Sequence, residues 1–263
     1  MTAAKINGVT LHYTEQGPRG APALVFSNSL GTDFRIWDEV VAGLPSGLRI
    51  VRYDKRGHGL SELPDQPWGM GEHVADLAAL LDHLGVKNAI ICGLSVGGII
   101  AQGIAAERPD LVAGIILCDT GAKIGNPEMW DGRIKIAEEQ GLEAMADAVM
   151  ERWFTPGFRS DDPGFPIWRN MLVRTTVGGY ADTCRAIRDT DLTESTARLN
   201  VPCLGLCGDQ DGSTPPDLVR ETTALVSGST FEIVRNAGHI PCVEQPEQTL
   251  ALIKRFVGDV HGL

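Results

Sequence analysis

A strand-like apolar run leads directly into a Gly-x-Ser-x-Gly pentapeptide, and this feature constrains the fold more than any other. Residues 88–92 have strand composition, Gly93-Leu94-Ser95-Val96-Gly97 follows, and residues 99–107 carry Ala, Ile and Gln at helical spacing. Strand, tight turn and helix in this order are the context of a nucleophile elbow, in which glycines avoid Cβ clashes. The sequence therefore predicts that Ser95 projects from a sheet, with the Val96 N–H directed at a developing oxyanion. The alternative interpretation is a helix N-cap serine after a buried strand.

Strand-like and helical patterns alternate along most of the remaining chain. Residues 5–9 and 11–15 alternate around Asn7-Gly8 and predict an N-terminal hairpin, and residues 71–84 predict an amphipathic helix. Other buried strands are predicted at residues 23–27, 49–53, 112–118, 201–207 and 230–234, and other helices at residues 38–44, 215–226 and 246–257. Because strands that are apolar on both faces alternate with helices, we expect an α/β fold with a mostly parallel central sheet covered on both faces.

The pattern changes between residues 121 and 199, where strand-like runs stop. Helical segments are predicted at residues 127–140, 142–153, 165–174 and 178–187, with breaks at Pro156-Gly157 and Asp162-Pro163-Gly164. The segment is too long for a loop. We therefore expect residues 1–120 and 200–263 to form the core, and residues 121–199 to form a helical cap that roofs Ser95 and supplies the substrate pocket.

Composition excludes several classes of function. The chain of 263 residues has 34 acidic and 23 basic side chains, a net charge of −11, and no basic stripe, which argues against nucleic-acid binding. No apolar run approaches the length of a membrane span, and the N-terminus lacks a signal-peptide pattern. The six cysteines are scattered without metal-type pairing, so we expect no metal and no cofactor, and a reducing cytoplasm as the compartment. The sequence does not predict the oligomeric state.

A serine hydroxyl is a poor nucleophile unless an adjacent base, itself oriented by a third group, activates it. The loops after the last two predicted strands offer Asp211 and His239. Asp209 competes with Asp211, which we prefer because the spacing from Gly208 gives the chain room to turn towards the histidine. Ser95, Asp211 and His239 each follow a predicted strand, at the edge where open α/β sheets place their active sites. Histidine 58 fits a structural turn better than a catalytic role, and surface positions are predicted for histidines 12, 73, 83 and 261.

Together these segments resemble the α/β-hydrolase superfamily over the whole chain. The resemblance rests on the elbow, on the glycine-rich stretch 53–59, on the segment 208–215 and on Gly238-His239 in the order Ser95, Asp211, His239. Residues 26–32, residues 118–125 with Trp130 and Arg133, and residues 183–191 are more narrowly similar to 3-oxoadipate enol-lactonases of the β-ketoadipate pathway.

The resemblance implies a cofactor-free lactonase that acts through an acyl-enzyme. His239 would accept the proton of Ser95, and the oxyanion would be held by the N–H of Val96 and by that of Ser29 or Leu30. The anionic lactone would need a local cation in so acidic a protein, and we expect Arg133 beside Trp130 to supply it.

Two other classes of function are compatible with the same residues, and a third is not. Another esterase or a perhydrolase would share the triad, and a hydrolase-fold binding protein would use it only to retain a ligand. A dehalogenase would carry a carboxylate at position 95, where this chain has Ser95.

Overall fold

The computed structural model describes residues 2–262, and its strands form one eight-stranded sheet. In spatial order the sheet runs β1-β2-β4-β3-β5-β6-β7-β8; β1 and β2 are antiparallel to their neighbours, and the remaining pairs are parallel. The strands are β1 (Thr2–Ile6), β2 (Val9–Gln16), β3 (Ala23–Ser27), β4 (Arg49–Tyr53), β5 (Ala89–Leu94), β6 (Val112–Cys118), β7 (Cys203–Gly208) and β8 (Thr230–Val234). The predicted α/β class and mostly parallel sheet are confirmed.

Local chemistry accounts for most strand boundaries. Asn7 and Gly8 have φ values of 47° and 82°, the left-handed pair that a two-residue hairpin needs, so the predicted hairpin is confirmed. The central strand β5 is buried along its whole length, as expected for a parallel strand covered on both faces. Strand β7 begins at Cys203 rather than at residue 201, because Pro202 has no N–H to contribute to a ladder.

Twelve helices surround this sheet within residues 2–262. Those of the core pack on its two faces, and α3 follows β5 after a single residue, Ser95. The helices are α1 (Asp38–Ala42), α2 (Met70–Leu84), α3 (Val96–Glu107), α4 (Pro127–Gln140), α5 (Ala146–Trp153), α6 (Pro156–Asp161), α7 (Phe165–Val173), α8 (Val177–Arg188), α9 (Thr193–Thr196), α10 (Pro216–Ala224), α11 (Pro241–Glu244) and α12 (Pro246–His261). None of the helices in the described range is long and apolar enough to cross a bilayer.

The stretch from residue 121 to residue 199, all of which the structure describes, contains helices α4–α9 and no strand. The chain does break between α5 and α6, but the Pro156-Gly157 pair predicted as the break lies inside a helix that was not predicted. Pro156 begins helix α6, with Thr155 as its N-cap accepting a hydrogen bond from the N–H of Phe158 at 3.3 Å. A proline in the first helical turn leaves no intrahelical bond unmade, so a Pro-Gly pair can open a helix as well as interrupt one.

Candidate active site

The turn between β5 and α3 holds Ser95 in a strained backbone conformation. Its φ of 58° and ψ of −118° are rare for a residue with a side chain, and such strain gathers at functional sites. Glycine is required on both sides. A Cβ atom on Gly93 would lie 2.0 Å from the carbonyl oxygen of Gly97, and one on Gly97 would lie 2.1 Å from that of Ser27. The elbow predicted from the pentapeptide is present.

A carboxylate and an imidazole meet beside this elbow. The Nδ1 atom of His239 lies 2.9 Å from Oδ2 of Asp211, and both side chains are almost fully buried. Asp211 also accepts hydrogen bonds from the Thr214 hydroxyl at 2.6 Å and from the Ser213 N–H at 2.7 Å. Burial opposes ionisation of this carboxyl, but His239 and these donors outweigh burial and lower the pKa of Asp211 below its ordinary value. Asp211 is therefore held as an anion that orients the imidazole.

Asp209, the competing acid, does not reach the histidine. Its carboxylate accepts a hydrogen bond from the N–H of Ala237 at 3.3 Å and faces Arg235 at 3.9 Å. It braces the loop that follows β8. The structure thus brings Asp211, and not Asp209, to His239.

A second buried carboxyl behind the pair was not predicted. Asp119 directly follows β6, has a φ of 44° and is fully buried. Its Oδ1 accepts the N–H of Gly208 at 2.9 Å, whereas Oδ2 has no hydrogen-bond partner within residues 2–262. Burial first, and then the charge of Asp211, raise the pKa of Asp119 well above its ordinary value. The sequence does contain a signal for Asp119: it is an acidic residue immediately after a strand, at the edge of the sheet where the site lies.

Asp119, Asp211 and His239 also form the one cluster of three metal-type donors within the described residues, with donor atoms within 4.8 Å of one another. Two of these three atoms share a direct 2.9 Å hydrogen bond between Asp211 and His239. We therefore interpret the cluster as a proton relay with an additional neutral acid.

The orientation of two peptide groups distinguishes the candidate oxyanion donors. The carbonyl of Asn28 faces the elbow, since its oxygen would lie 3.1 Å from a Cβ on Gly97. The next carbonyl, that of Ser29, accepts hydrogen bonds from Lys55 and Thr32. In a trans peptide the N–H points opposite to the C=O, so the Ser29 N–H points away from the elbow and the Leu30 N–H away from Lys55. Leu30 is thus the better donor.

A cavity of about 40 Å³ joins these groups to the cap. Its sheet side, here called the sheet wall, comprises Ser29, Leu30, Ser95, Ser213, Thr214 and His239; its cap side, the cap wall, comprises Ile124, Met129, Trp130, Arg133, Arg152 and Trp153. Pockets for small molecules typically measure about 300–1,000 Å³. The cavity is therefore small compared with a typical small-molecule pocket.

Arginine side chains of the cap wall face the cavity without a carboxylate partner. Within residues 2–262, neither Arg133 nor Arg152 has an acidic group within 4.0 Å. The guanidinium of Arg133 donates to the Tyr180 hydroxyl at 2.5 Å and lies 5.5 Å from the ring of Trp130. Sequence reasoning missed Arg152, because one arginine on an amphipathic helix carries no signal that distinguishes it from a surface residue.

The cap also holds the histidine loop in place. The N–H of His239 donates to the carbonyl of Trp153 at 2.9 Å. Glu244 accepts from the Gly238 N–H at 2.5 Å and, through its other oxygen, from the Thr155 N–H at 2.9 Å. The position of the imidazole therefore depends on the junction between α5 and α6 as well as on the sheet.

The remaining histidines lie outside this cavity. His58 is buried in its turn, in agreement with the structural role predicted for it. His73 is also buried, 1 % exposed, and accepts the indole N–H of Trp68 at 3.1 Å, so the surface position predicted for it was wrong. His12 is largely buried against Asp54 at 2.8 Å, again contrary to prediction. A larger cavity of about 450 Å³ beside His12 contains no triad residue.

Comparisons with known proteins agree with this geometry. The model of the "Alpha/beta hydrolase family" matches residues 24–252. The chain is 36% identical to 3-oxoadipate enol-lactonase 2 of Acinetobacter baylyi, with 94% of both chains covered. It is 33% identical to 3-oxoadipate enol-lactonase 1 of that organism, over 97% of this chain and 95% of the relative. The crystal structure of the enol-lactonase from Burkholderia xenovorans LB400 superimposes with a TM-score of 0.94 at 37% identity, covering 97% of this chain and 99% of that one.

Proposed function

Because the chain belongs to the alpha/beta hydrolase family, we propose that it is a serine hydrolase that opens the ring of 3-oxoadipate enol-lactone and releases 3-oxoadipate. The observation that carries the proposal is the near full-length similarity to two enol-lactonases, combined with an Asp211–His239 pair beside the strained Ser95. The proposed catalytic residues are Ser95, His239 and Asp211.

The reaction begins with transfer of the Ser95 proton to Nε2 of His239 as Oγ attacks the lactone carbonyl. Asp211, hydrogen-bonded to Nδ1, stabilises the imidazolium that forms. The N–H groups of Val96 and Leu30 hold the oxyanion. Collapse of the tetrahedral intermediate breaks the ring C–O bond and leaves an acyl-enzyme.

The leaving group of this step is an enolate oxygen on the same molecule. Imidazolium protonates it, and the enol tautomerises to the ketone. A water molecule deprotonated by His239 then attacks the acyl-enzyme, and the serine leaves with the proton that the imidazole holds. An enolate is a better leaving group than an amine, so the site needs only modest acid assistance.

The substrate carboxylate is proposed to bind on the cap wall. Arg133, fixed against Trp130 and Tyr180, presents a cation without an acidic partner, and Arg152 provides a second at the same cavity. A guanidinium forms strong hydrogen bonds to carboxylates. In a protein with a net charge of −11, this local positive charge offsets the general repulsion of an anion.

The cap and the cellular location complete the proposal. Residues 121–199 act as a cap over the core formed by residues 1–120 and 200–263, because this stretch supplies every residue of the cap wall: Ile124 from the loop before α4, and the others from helices α4 and α5. The six cysteines are all buried free thiols, which suits a reducing cytoplasm. The proposed mechanism uses neither metal nor cofactor.

Steady-state kinetics on the enol-lactone test this function. We expect multiple turnovers, and a loss of kcat of about 10⁴-fold or more in Ser95→Ala. Ser227→Ala, the same change at an exposed serine of a distant loop, is the matched control and is expected to retain activity. p-Nitrophenyl acetate assayed in parallel separates a lactonase from a general esterase. Faster turnover of the aryl ester than of the lactone would contradict the proposed substrate, and a single turnover without a steady state would indicate a ligand-binding protein.

A further inference from the structure

A buried ammonium group lies under the loop that carries Leu30. Lys55 follows β4 by one residue and is only 2 % exposed. Its Nζ donates to the carbonyl oxygen of Ser29 at 2.6 Å. No carboxylate within residues 2–262 lies within 4.0 Å of it, and the two acids whose charges act on it, Asp54 and Asp33, have other partners. Asp33 pairs with Arg35 at 2.6 Å, and Asp54 pairs with His12 at 2.8 Å.

The Ser29 carbonyl does not need this partner in order to be satisfied. It also accepts the Thr32 hydroxyl at 2.9 Å and the Thr32 N–H at 3.4 Å. Burial of a cation without a counter-ion is unfavourable. Lys55 therefore adds a charge that the packing of this loop does not require, and such groups are frequent at functional sites.

The Ser29 carbonyl that accepts the hydrogen bond from Lys55 belongs to the same peptide group as the Leu30 N–H. Amide resonance couples the two ends of a peptide group, so a cation on the carbonyl oxygen withdraws electron density from the nitrogen and makes its N–H a stronger donor. Within residues 2–262 the Leu30 N–H donates no backbone hydrogen bond, and Leu30 lines the cavity, so this N–H is available to a ligand there.

We propose that Lys55 is a positioning residue whose positive charge, acting through the Ser29–Leu30 peptide, strengthens the Leu30 N–H as an oxyanion donor. The inference rests on the proposed function only in the assignment of Leu30 to the oxyanion hole. It holds for any ester that Ser95 attacks, whether or not the enol-lactone is the substrate.

The charge of Lys55 should make catalysis sensitive to pH. Burial lowers the pKa of Lys55 to about 7, although Asp54 and Asp33 favour the charged form. Two other titratable groups face it. Burial, and then the charge of Lys55, hold the pKa values of His58 and His73 well below the ordinary histidine value, so both rings stay neutral near pH 7. The neighbouring Arg56 pairs with Asp76 at 2.6 Å. Lys55 is thus the member of this group that loses its proton near neutrality.

The test compares Lys55→Met, Lys55→Arg and Thr32→Val with the wild type on p-nitrophenyl acetate between pH 6 and 9. Lys55→Met is expected to lower kcat at pH 6.5 by about 10-fold or more with KM within about twofold, since the charge acts on the transition state. Thr32→Val removes a neutral donor to the same carbonyl and is expected to lower kcat by less than about threefold. The kcat of the wild type is expected to decline above pH 7, as Lys55 loses its proton. Lys55→Arg is expected to keep the wild-type kcat at pH 6.5 and to show no such decline.

Thermal unfolding controls for structure. Since Lys55 is a buried unpaired charge, Lys55→Met is expected to unfold at the same temperature as the wild type or higher. If it does not fold, Lys55→Gln takes its place as a neutral donor. Wild-type kcat in the neutral variant, or equal losses in the neutral variant and in Thr32→Val, would overturn the inference.

Failure of the inference and failure of the proposed function are distinguishable. A wild type that hydrolyses the aryl ester but not the enol-lactone contradicts the proposed function alone. The rate of stoichiometric p-nitrophenol release from paraoxon provides a measurement without turnover, and the same order of variants is expected. A wild type that reacts with none of the enol-lactone, p-nitrophenyl acetate and paraoxon would overturn both.

Discussion

The sheet wall and the cap wall border the same cavity but are constructed in different ways. On the sheet wall two of the proposed reactive groups are fixed by backbone geometry: Ser95 by its strained turn and the Leu30 N–H by the fold of its loop. On the cap wall the groups are long side chains, such as Arg133 and Arg152, carried by helices. Reaction type should therefore depend on the sheet wall and substrate choice on the cap wall.

The largest effect is expected when the acid of the relay is neutralised. Asp211→Asn should lower kcat about 10³–10⁴-fold, because the amide cannot stabilise an imidazolium at His239. Asp209→Asn is the matched control and should stay within about threefold. Steady-state kinetics on the lactone measure both, and the reverse order would assign the role to Asp209.

A smaller but still large effect is expected from one methyl group in the elbow. Gly97→Ala places a Cβ 2.1 Å from the Ser27 carbonyl oxygen, so the turn must shift. A displacement of about 1 Å at the reacting groups lowers kcat about 10²-fold. The same substitution in the cap, Gly132→Ala on α4, meets nothing within 4 Å and should leave kcat unchanged. Equal effects of the two variants would refute the contrast between the walls.

The cap wall should instead control binding. Arg133→Gln should raise KM for the anionic lactone about 10–100-fold, because the loss of one charge-assisted hydrogen bond weakens binding by about that factor. KM for the uncharged p-nitrophenyl acetate should stay nearly unchanged. Arg198→Gln, at an exposed position outside the cavity, is the control. An unchanged KM for the lactone would remove Arg133 from the pocket.

The smallest effect on activity is expected at Asp119, where the consequence is a change in stability. Its pKa is raised well above 3.8, so above that pH the unfolded chain loses a proton that the folded protein keeps. The free energy of unfolding of the wild type should therefore fall as pH rises, by at most about 1.4 kcal/mol per pH unit from this group. Asp119→Asn, neutral at every pH, should lack this slope. Urea denaturation between pH 4 and 8 measures the difference, with the exposed Asp65→Asn as control; parallel slopes would show that Asp119 is ionised.

Local patterns were sufficient to predict the helices and strands, and the strand ends that carry the proposed catalytic residues. The alternation of strands and helices, the hairpin at Asn7-Gly8 and the elbow around Ser95 follow from short-range rules of turn geometry and burial. These rules do not count partners across the chain. For that reason His73 was expected on a helix surface. In the structure it is buried, bonded to the indole of Trp68 and close enough to Lys55 for that charge to lower its pKa.

The sequence by itself determined the α/β class, the succession of strands and helices along the chain, and the strand ends after which Ser95, His239 and the two competing acids, Asp209 and Asp211, lie. Only the tertiary structure decided that Asp211 rather than Asp209 meets His239, that Asp119 lies behind them, and that Lys55 donates a hydrogen bond to the Ser29 carbonyl. The physical reason is distance along the chain. Secondary structure reflects neighbours within a few residues, whereas burial and charge at an active site depend on atoms that come together only when all the strands are in register.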